Sequence, residues 1–112
     1  MEGTVISIPY KIKIADSFFT RLRGLMFRKV PINDEGLWIL PCNAVHMFFM
    51  KFPIDIVLLN KHNEVVKVYH SLRPWKMTKP VKNAYSTLEL PAGSIKQLGI
   101  NVGSIIDCSF IN

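Results

Sequence analysis

The chain has 112 residues, of which 14 are lysine or arginine and 8 are aspartate or glutamate, giving a formal net charge of +6; 49% of the residues are hydrophobic. This length suits one domain over residues 1–112, and the apolar content excludes an intrinsically disordered chain. The positive charge permits an anionic partner but does not require one, since many small domains carry such a charge for solubility.

The first predicted element is a β-strand over residues 6–14, where isoleucine and tyrosine alternate with polar residues. A period of two is typical of a half-buried strand. Pro9 cannot donate a hydrogen bond to a neighbouring strand, so the segment is expected to be an edge strand or to break into two short strands. Asp16 or Ser17 is then predicted to cap a short helix that ends at Gly24.

From Leu37 onward the pattern is that of short strands separated by turns. Strands are predicted at residues 37–40, 45–50, 56–59, 65–69, 84–90 and 105–111. A hairpin turn is expected at 60–63, a loop at 71–82, and one helical turn from Ser94, as its cap, to Leu98. About seven short strands without βαβ spacing predict a mainly β (α+β) fold: a compact, antiparallel, barrel- or sandwich-like sheet with one or two short helices.

The longest nearly apolar stretch, residues 45–59, is interrupted by charged residues and a proline, so it is interpreted as strands rather than as a membrane helix. The first residues lack the pattern of a signal peptide. The expected location is therefore the cytoplasm, without membrane association. Cys42 and Cys108 are expected to be free thiols, because two cysteines are too few for a disulfide framework.

Four sequence elements occur in an order that resembles a known family. They are TRLRGLMFR, VHMFFMKFPIDIVLL, RPW and LELPAG. Together they resemble domain-of-unknown-function family 192, which occurs in bacteria and archaea and has no established activity. The resemblance implies a compact β-rich single domain and no particular reaction. The matching positions are Arg21, Arg23, Gly24, Leu25, Met26 and Arg28 in the first element and His46, Met50, Pro53 and Asp55 in the second.

Cys42 and His46 could be a nucleophile and its base, or two metal ligands. Residues four apart in an extended strand are about 13 Å apart, which argues against both roles. The remaining histidines and Cys108 lack metal-ligand spacing, so the sequence predicts no metal site and no cofactor. His46 is interpreted first as a core histidine on an apolar strand, with a place at the floor of a pocket as the alternative.

Asp55 opens an apolar strand, so its carboxylate has to be exposed, capped by backbone amides or paired with a cation. Arg21 and Arg23 are its predicted partners. The first interpretation is an ion-pair brace between the short helix and the sheet. The alternative is an anion pocket in which Asp55 orients one arginine toward a ligand.

The segment 67–82 contains five lysine and arginine residues and no acidic residue, with Tyr69, His70 and Trp75 between them. Basic side chains beside aromatic rings suit the phosphates and bases of nucleic acid, although no recognised nucleic-acid motif is present. The alternative, which is preferred here, is a solvated loop in which Trp75 packs over the end of the sheet.

Three classes of function follow from these residues. The leading prediction is a domain that binds a polar or anionic small ligand, in a pocket lined by Arg21, Arg23, His46 and Asp55, with Trp75 near its rim. The second is a small enzyme that uses His46 and Asp55 as acid–base groups, with Cys42 as a further candidate. The third is a nucleic-acid or protein interaction module that uses the 67–82 loop. The sequence does not predict an oligomeric state.

Overall fold

Seven short strands and one helix make up the computed structural model over the residues it describes, 3–17 and 25–108. The elements are β1 (Val5–Ser7), β2 (Lys11–Ala15), β3 (Glu35–Ile39), β4 (Ile54–Leu59), β5 (Val65–Leu72), β6 (Ser86–Pro91), α1 (Ser94–Leu98) and β7 (Ile105–Asp107). The mainly β fold with a short helix is confirmed. The helix predicted to end at Gly24 falls on residues 18–24, which lie outside the described part.

The strands form two sheets. Five of them make one sheet in the order β2–β3–β6–β4–β5, and β1 pairs with β7 in a second sheet of two strands. The pairs β3–β6, β6–β4 and β4–β5 are antiparallel as predicted. The pairs β1–β7 and β2–β3 are parallel, against the prediction. A parallel pair needs a long connection, which the chain between β2 and β3 provides. The sheets are sandwich-like and do not close into a barrel.

The predicted first strand breaks at Pro9, as one of the two alternatives required. β1 ends at Ser7 and β2 begins at Lys11. The break lets the chain pass from the small sheet to the edge of the large one, since β2 is the first strand of the five-stranded order. The missing N–H of proline therefore falls where no ladder hydrogen bond is needed.

Strand β4 lies in the centre of the core, with all six of its residues buried. Alternate side chains enter two apolar clusters. Val57 and Leu59 pack with Leu88, Leu90 and Ile95 on one face. On the other face, Ile54, Ile56 and Leu58 pack with Met47 and Phe52. Burial on both faces explains why this strand is apolar without alternation, and each such side chain stabilises the fold by roughly 1.5–3 kcal/mol.

The prediction of a central strand at 45–50 is wrong. Phe49 has a φ of 63°, and the N–H of Met50 donates to the carbonyl oxygen of Met47 at 3.2 Å, which closes a turn. An isolated bridge joins His46 to Met77. Met47 and Met50 are buried, so the segment is apolar because it covers one face of the sheet. Apolar content alone does not distinguish such a covering loop from a strand.

The hairpin turn predicted at 60–63 is confirmed between β4 and β5. The side-chain Oδ1 of Asn60 accepts the backbone N–H groups of His62 and Glu64, at 2.9 and 3.0 Å. The N–H of Asn63 donates to the carbonyl oxygen of Asn60 at 3.1 Å. Strand β5 then continues to Leu72, so the predicted loop begins two residues later than expected.

The helical turn predicted from Ser94 to Leu98 is confirmed, but its cap is different. Gly93, with a φ of 93°, is the residue before the helix, and it makes no side-chain cap. The hydroxyl of Ser94 donates instead to the carbonyl oxygen of Pro91, at 2.6 Å. Over residues 3–17 and 25–108, no helix is long and apolar enough to cross a membrane.

Candidate functional site

Asp55 is completely buried between the end of β5 and the start of α1. Its Oδ1 accepts the backbone N–H of Ser71, and its Oδ2 accepts that of Ile95, each at 2.8 Å. Of the three environments predicted for this carboxylate, the structure shows capping by backbone amides. Arg21 and Arg23 lie outside the described residues, so the brace and the arginine pocket stay predictions. These two hydrogen bonds from backbone N–H groups to the carboxylate hold the end of β5 against the helix.

A cavity of about 380 Å³ lies where β5 ends. Its lining residues are Tyr69, His70, Ser71, Leu72, Arg73 and Lys76. His70, Arg73 and Lys76 bring nitrogen donors to it, and no described residue brings a carboxylate. Ser71 has a φ of 47° and is the residue whose N–H bonds to Asp55. Asp55 therefore does not line the cavity, but its hydrogen bond fixes the backbone of Ser71, which does.

A tight turn over residues 73–76 follows the strand at this cavity. The N–H of Lys76 donates to the carbonyl oxygen of Arg73 at 3.3 Å, and Trp75 has a φ of 69°. Proline at the second position and a positive φ at the third are the features of a type II β-turn. Glycine adopts the third position freely, whereas a bulky residue there is an outlier. The turn keeps Arg73 and Lys76 at its two ends and leaves the Trp75 side chain exposed.

Three exposed aromatic side chains lie together beside this turn, and we call them the aromatic platform: Phe27, Phe49 and Trp75. The ring centroids of Phe27 and Phe49 are 5.0 Å apart, and those of Phe49 and Trp75 are 4.9 Å apart. The exposed fractions of the three side chains are 55%, 45% and 59%. A contiguous exposed apolar surface marks an interaction site more strongly than single exposed residues do.

All three platform residues have left-handed backbone conformations, with φ values of 65°, 63° and 69°. Such a conformation costs on the order of 1 kcal/mol for each bulky residue, and strain of this kind clusters at functional sites. Backbone hydrogen bonds hold the three loops together. The N–H of Phe27 donates to the oxygen of Phe49 at 3.0 Å, and that of Trp75 donates to the oxygen of Met47 at 2.7 Å. The platform is therefore preorganised.

Arg28 supports the loop that carries Phe27. Its guanidinium donates two hydrogen bonds to the carboxylate of Glu35 in β3, at 2.6 and 3.0 Å. These bonds lower the pKa of Glu35 and raise the pKa of Arg28. A third bond from Arg28 reaches the carbonyl oxygen of Val30 at 3.1 Å. This arginine of the first family-like element thus ties the loop to the sheet.

His46 is half-buried and lies at the inner edge of the platform. Its Nδ1 accepts the N–H of Phe48 at 3.2 Å, and the two rings pack 5.0 Å apart. Phe48 in turn packs against Trp75, with centroids 6.0 Å apart. The structure thus brings His46 and Trp75 together through Phe48, while Asp55 lies in another environment, bonded to backbone amides.

Both cysteines are free, as predicted. The thiol of Cys42 donates to the carbonyl oxygen of Ala44 at 3.0 Å, so it is engaged locally rather than with His46. Burial and the charge of Asp107 raise the pKa of the Cys108 thiol to about 11, which disfavours the reactive thiolate. Within the described ranges, no group of three histidine, cysteine, aspartate or glutamate residues could hold a metal ion.

Glu89 is a chemically distinctive residue that the sequence reasoning missed. It is buried in β6, opposite Leu37 in β3 and Ile56 in β4, and its Oε1 has no hydrogen-bond partner. Burial raises the pKa of this carboxyl to about 7. An acidic residue between two leucines of a predicted strand was the available signal. Glu89 is not among the residues that line the cavity at the end of β5.

The model of domain-of-unknown-function family 192 (DUF192), described as Uncharacterized ACR, matches residues 2–108. The chain belongs to this family. It is 38% identical over 102 residues to a DUF192 relative from Thermococcus sibiricus named UPF0127 protein, an alignment that covers 87% of this chain and 65% of that protein. A UPF0127 protein from Pyrococcus furiosus is 34% identical over 105 residues, covering 89% of this chain and 88% of its own.

The DUF192 fold is also found in a crystal structure from Novosphingobium aromaticivorans, titled as a protein of unknown function. That structure superimposes with a TM-score of 0.73 at 24% identity and covers 82% of this chain and 70% of its own. This likeness concerns the fold alone. The chain spans 65% of the length of the Thermococcus sibiricus relative, so activities of such longer proteins do not transfer to this domain directly.

Proposed function

We propose that this DUF192 domain binds a small anionic ligand, carrying a phosphate or carboxylate group, in the cavity at the end of β5. The observation that carries the proposal is the meeting of His70, Arg73 and Lys76 around one cavity of about 380 Å³. The guanidinium of Arg73 offers paired N–H donors that match phosphate and carboxylate oxygens. Lys76 adds a compact positive charge. The cavity is open to solvent, so it suits a small anionic group held by these charges rather than a ligand enclosed on all sides.

The backbone around the proposed site is held in place by buried contacts. Asp55 bonds the N–H of Ser71 next to the cavity, and the turn over residues 73–76 is closed by its own hydrogen bond. Less reorganisation is then needed when a ligand binds, which favours affinity. The proposal keeps the predicted ligand class and Trp75 near the rim. It replaces the predicted lining by His46 and Asp55 with His70, Arg73 and Lys76.

The alternative of an acid–base enzyme built on His46 and Asp55 has less support. Both oxygens of Asp55 accept backbone N–H groups, and the side chain is buried. The Nδ1 of His46 accepts a backbone N–H as well. Neither group presents a free proton acceptor to a shared cavity.

The test is the thermal stability of the purified domain with phosphate, pyrophosphate and citrate, compared with chloride at equal ionic strength. A ligand at a hundred times its dissociation constant adds about 2.7 kcal/mol to the free energy of unfolding. For a domain of this size that raises the melting temperature by roughly 10 °C. The Arg73→Gln and Lys76→Gln variants should lose most of this increase.

Lys61→Gln is the matched control for these charge removals. Lys61 lies in the turn before β5, and the first four residues of β5 separate that turn from the nearest lining residue of the cavity, Tyr69, by about 13 Å. It should keep the full increase. Equal losses in all three variants would mean that the anions act on the net charge of the protein and not at a site.

A further inference from the structure

We infer that the aromatic platform and the cavity beside it together bind a single strand of nucleic acid, with bases stacking on the platform and phosphates contacting Arg73 and Lys76. The inference rests on the proposed anion site and names the polymer that carries the anion. Both features are present in one turn, because Trp75 of the platform lies between Pro74 and Lys76. A strand crossing this turn meets aromatic and cationic groups together.

The exposed rings of the aromatic platform are suited to stacking with bases. Phe27 stacks on Phe49 with the ring planes 29° apart, and Trp75 meets Phe49 edge to face at 60°, with centroid distances of 5.0 and 4.9 Å. The exposed rings of Phe27 and Trp75, on either side of Phe49, therefore offer separate surfaces for bases. About half of each side chain is free to contact a ligand. Stacking of a base on an aromatic side chain tolerates any sequence, because every base has a π-face. A row of exposed rings therefore suits successive bases of a strand.

The surface around the platform and the cavity is positively charged. The segments that carry the platform and the cavity, 25–33, 36–54 and 65–88, contain no aspartate or glutamate. Lys51, Arg73 and Lys76 are exposed on these segments, and Lys79 and Lys82 follow. Of the carboxylates that flank these segments, Glu35 is bound by Arg28 and Asp55 is buried on backbone amides, whereas Asp34 and Glu64 are exposed. A surface of rings and positive charges without carboxylates is complementary to a polyanion that also carries planar groups.

The backbone that carries the three rings of the platform is rigid. The three rings are held by left-handed backbone conformations and by hydrogen bonds between their loops. Because the three rings already have fixed positions, the protein loses less conformational entropy when a flexible strand binds to them. Sequence-tolerant stacking and phosphate contacts predict affinity that depends strongly on salt and weakly on base sequence.

The experiment is fluorescence anisotropy of labelled oligothymidylate and oligouridylate, about 12 nucleotides long, titrated with the full chain at several salt concentrations. The variants are Phe27→Gly and Phe49→Gly, since glycine keeps the positive φ while removing one ring. Each should weaken binding roughly tenfold. Each should leave the phosphate-induced melting shift unchanged. The oligonucleotide should quench tryptophan fluorescence in the wild type and not in Trp75→Gly, in which Trp38 is the remaining tryptophan, and this difference reports stacking on Trp75.

Tyr85→Leu is the matched control. Tyr85 is also an exposed aromatic residue, but it lies away from the platform with the ammonium group of Lys61 5.6 Å from its ring centroid. Its replacement should not change oligonucleotide binding. Affinity should become less sensitive to salt in the double variant Arg73→Gln/Lys76→Gln: a plot of log affinity against log salt concentration should be less steep than for wild type. Lys61→Gln should reduce the steepness by a smaller amount.

Four outcomes separate the inference from the proposed function. Oligonucleotide binding that falls in both glycine variants supports the inference. No oligonucleotide binding together with an intact phosphate shift overturns it and leaves the anion site standing. Loss of both signals in the wild-type protein overturns both. Equal binding by wild type and glycine variants overturns the stacking role of the platform.

Discussion

Asp55 in β4 supplies the side-chain cap for the distant helix α1, because its Oδ2 accepts the backbone N–H of Ile95, 40 residues later, at 2.8 Å. The helix of five residues has no side-chain cap of its own. The other carboxylate oxygen accepts the N–H of Ser71 at the end of β5. One buried carboxylate therefore joins β4 to β5 and to α1, and the proposed anion site lies at the end of β5.

Replacement of Asp55 by asparagine should destabilise the domain by roughly 2–3 kcal/mol, because one of two buried N–H groups then faces an amide donor instead of an acceptor. The melting temperature should fall on the order of 10 °C in calorimetry. Asp34→Asn is the control, since Asp34 is exposed and has a φ of 55°, which asparagine tolerates. Equal melting temperatures for the two variants would contradict the capping role.

Glu89 makes stability depend on pH. Its carboxyl has a pKa of about 7 in the folded chain, against 4.5 for an ordinary glutamate. Between these values the folded chain holds a proton that the unfolded chain releases, so stability falls as pH rises from about 4.5 to about 7. Glu89→Gln should remove this fall, which amounts to about 3 kcal/mol.

The measurement for Glu89 is urea unfolding at about pH 5 and about pH 8, both of which lie near the ends of the titration. The difference in unfolding free energy between the two pH values should be smaller in Glu89→Gln than in wild type. Glu64→Gln, which changes an exposed carboxylate, should behave as wild type. A Glu89→Gln curve parallel to the wild-type curve would rule out the titration.

Gly36 in β3 has no room for a side chain. An added Cβ would lie 2.7 Å from the carbonyl oxygen of Glu89 and 2.8 Å from the Cδ1 of Ile12. Gly36→Ala should therefore cost about 1–3 kcal/mol in denaturant unfolding. Adding Ile12→Val removes only the second contact, so the double variant should recover little. Full recovery would show that the backbone of β6 is not the obstacle.

Trp75 should be easier to replace by glycine than by valine. Glycine takes the third position of the turn without strain, whereas a β-branched residue is strongly disfavoured at positive φ. Trp75→Gly should change the melting temperature by a few degrees, and Trp75→Val should lower it by several degrees more. If both variants melt at the same temperature, the left-handed conformation of Trp75 carries no energetic cost.

Local patterns predicted the features that depend on neighbouring residues. The turn after Asn60 and the break at Pro9 each follow from side chains within a few positions. The helical turn from Ser94 to Leu98 was also predicted, but its side-chain cap comes from the distant Asp55. The four sequence elements that resemble DUF192 predicted the family, which the match over residues 2–108 confirms.

The remaining features depend on contacts between distant segments. Segment 45–50 is as apolar as a strand, but its turns are defined by the loops beside it, through Phe27 and Trp75. The amide partners of Asp55 lie 16 and 40 residues away, so no local pattern reveals them. The aromatic platform joins three loops for the same reason. Only Trp75 among its members was selected from the sequence, because its basic neighbours drew attention to it.

The parallel pairing of β1 with β7 has a consequence for the order in which the chain folds. Val5 lies opposite Ile105, whereas the β4–β5 hairpin closes across Asn60 and Glu64. Because a long loop loses more entropy before its contacts form, the local hairpin should form early and the small sheet last. In pulsed hydrogen exchange during refolding, the amide of Ile105 should gain protection after the amides of β4; the reverse order would contradict this. Formation of the two-stranded sheet is therefore the last step of folding, since β1 and β7 can pair only after nearly all of the chain between them has folded.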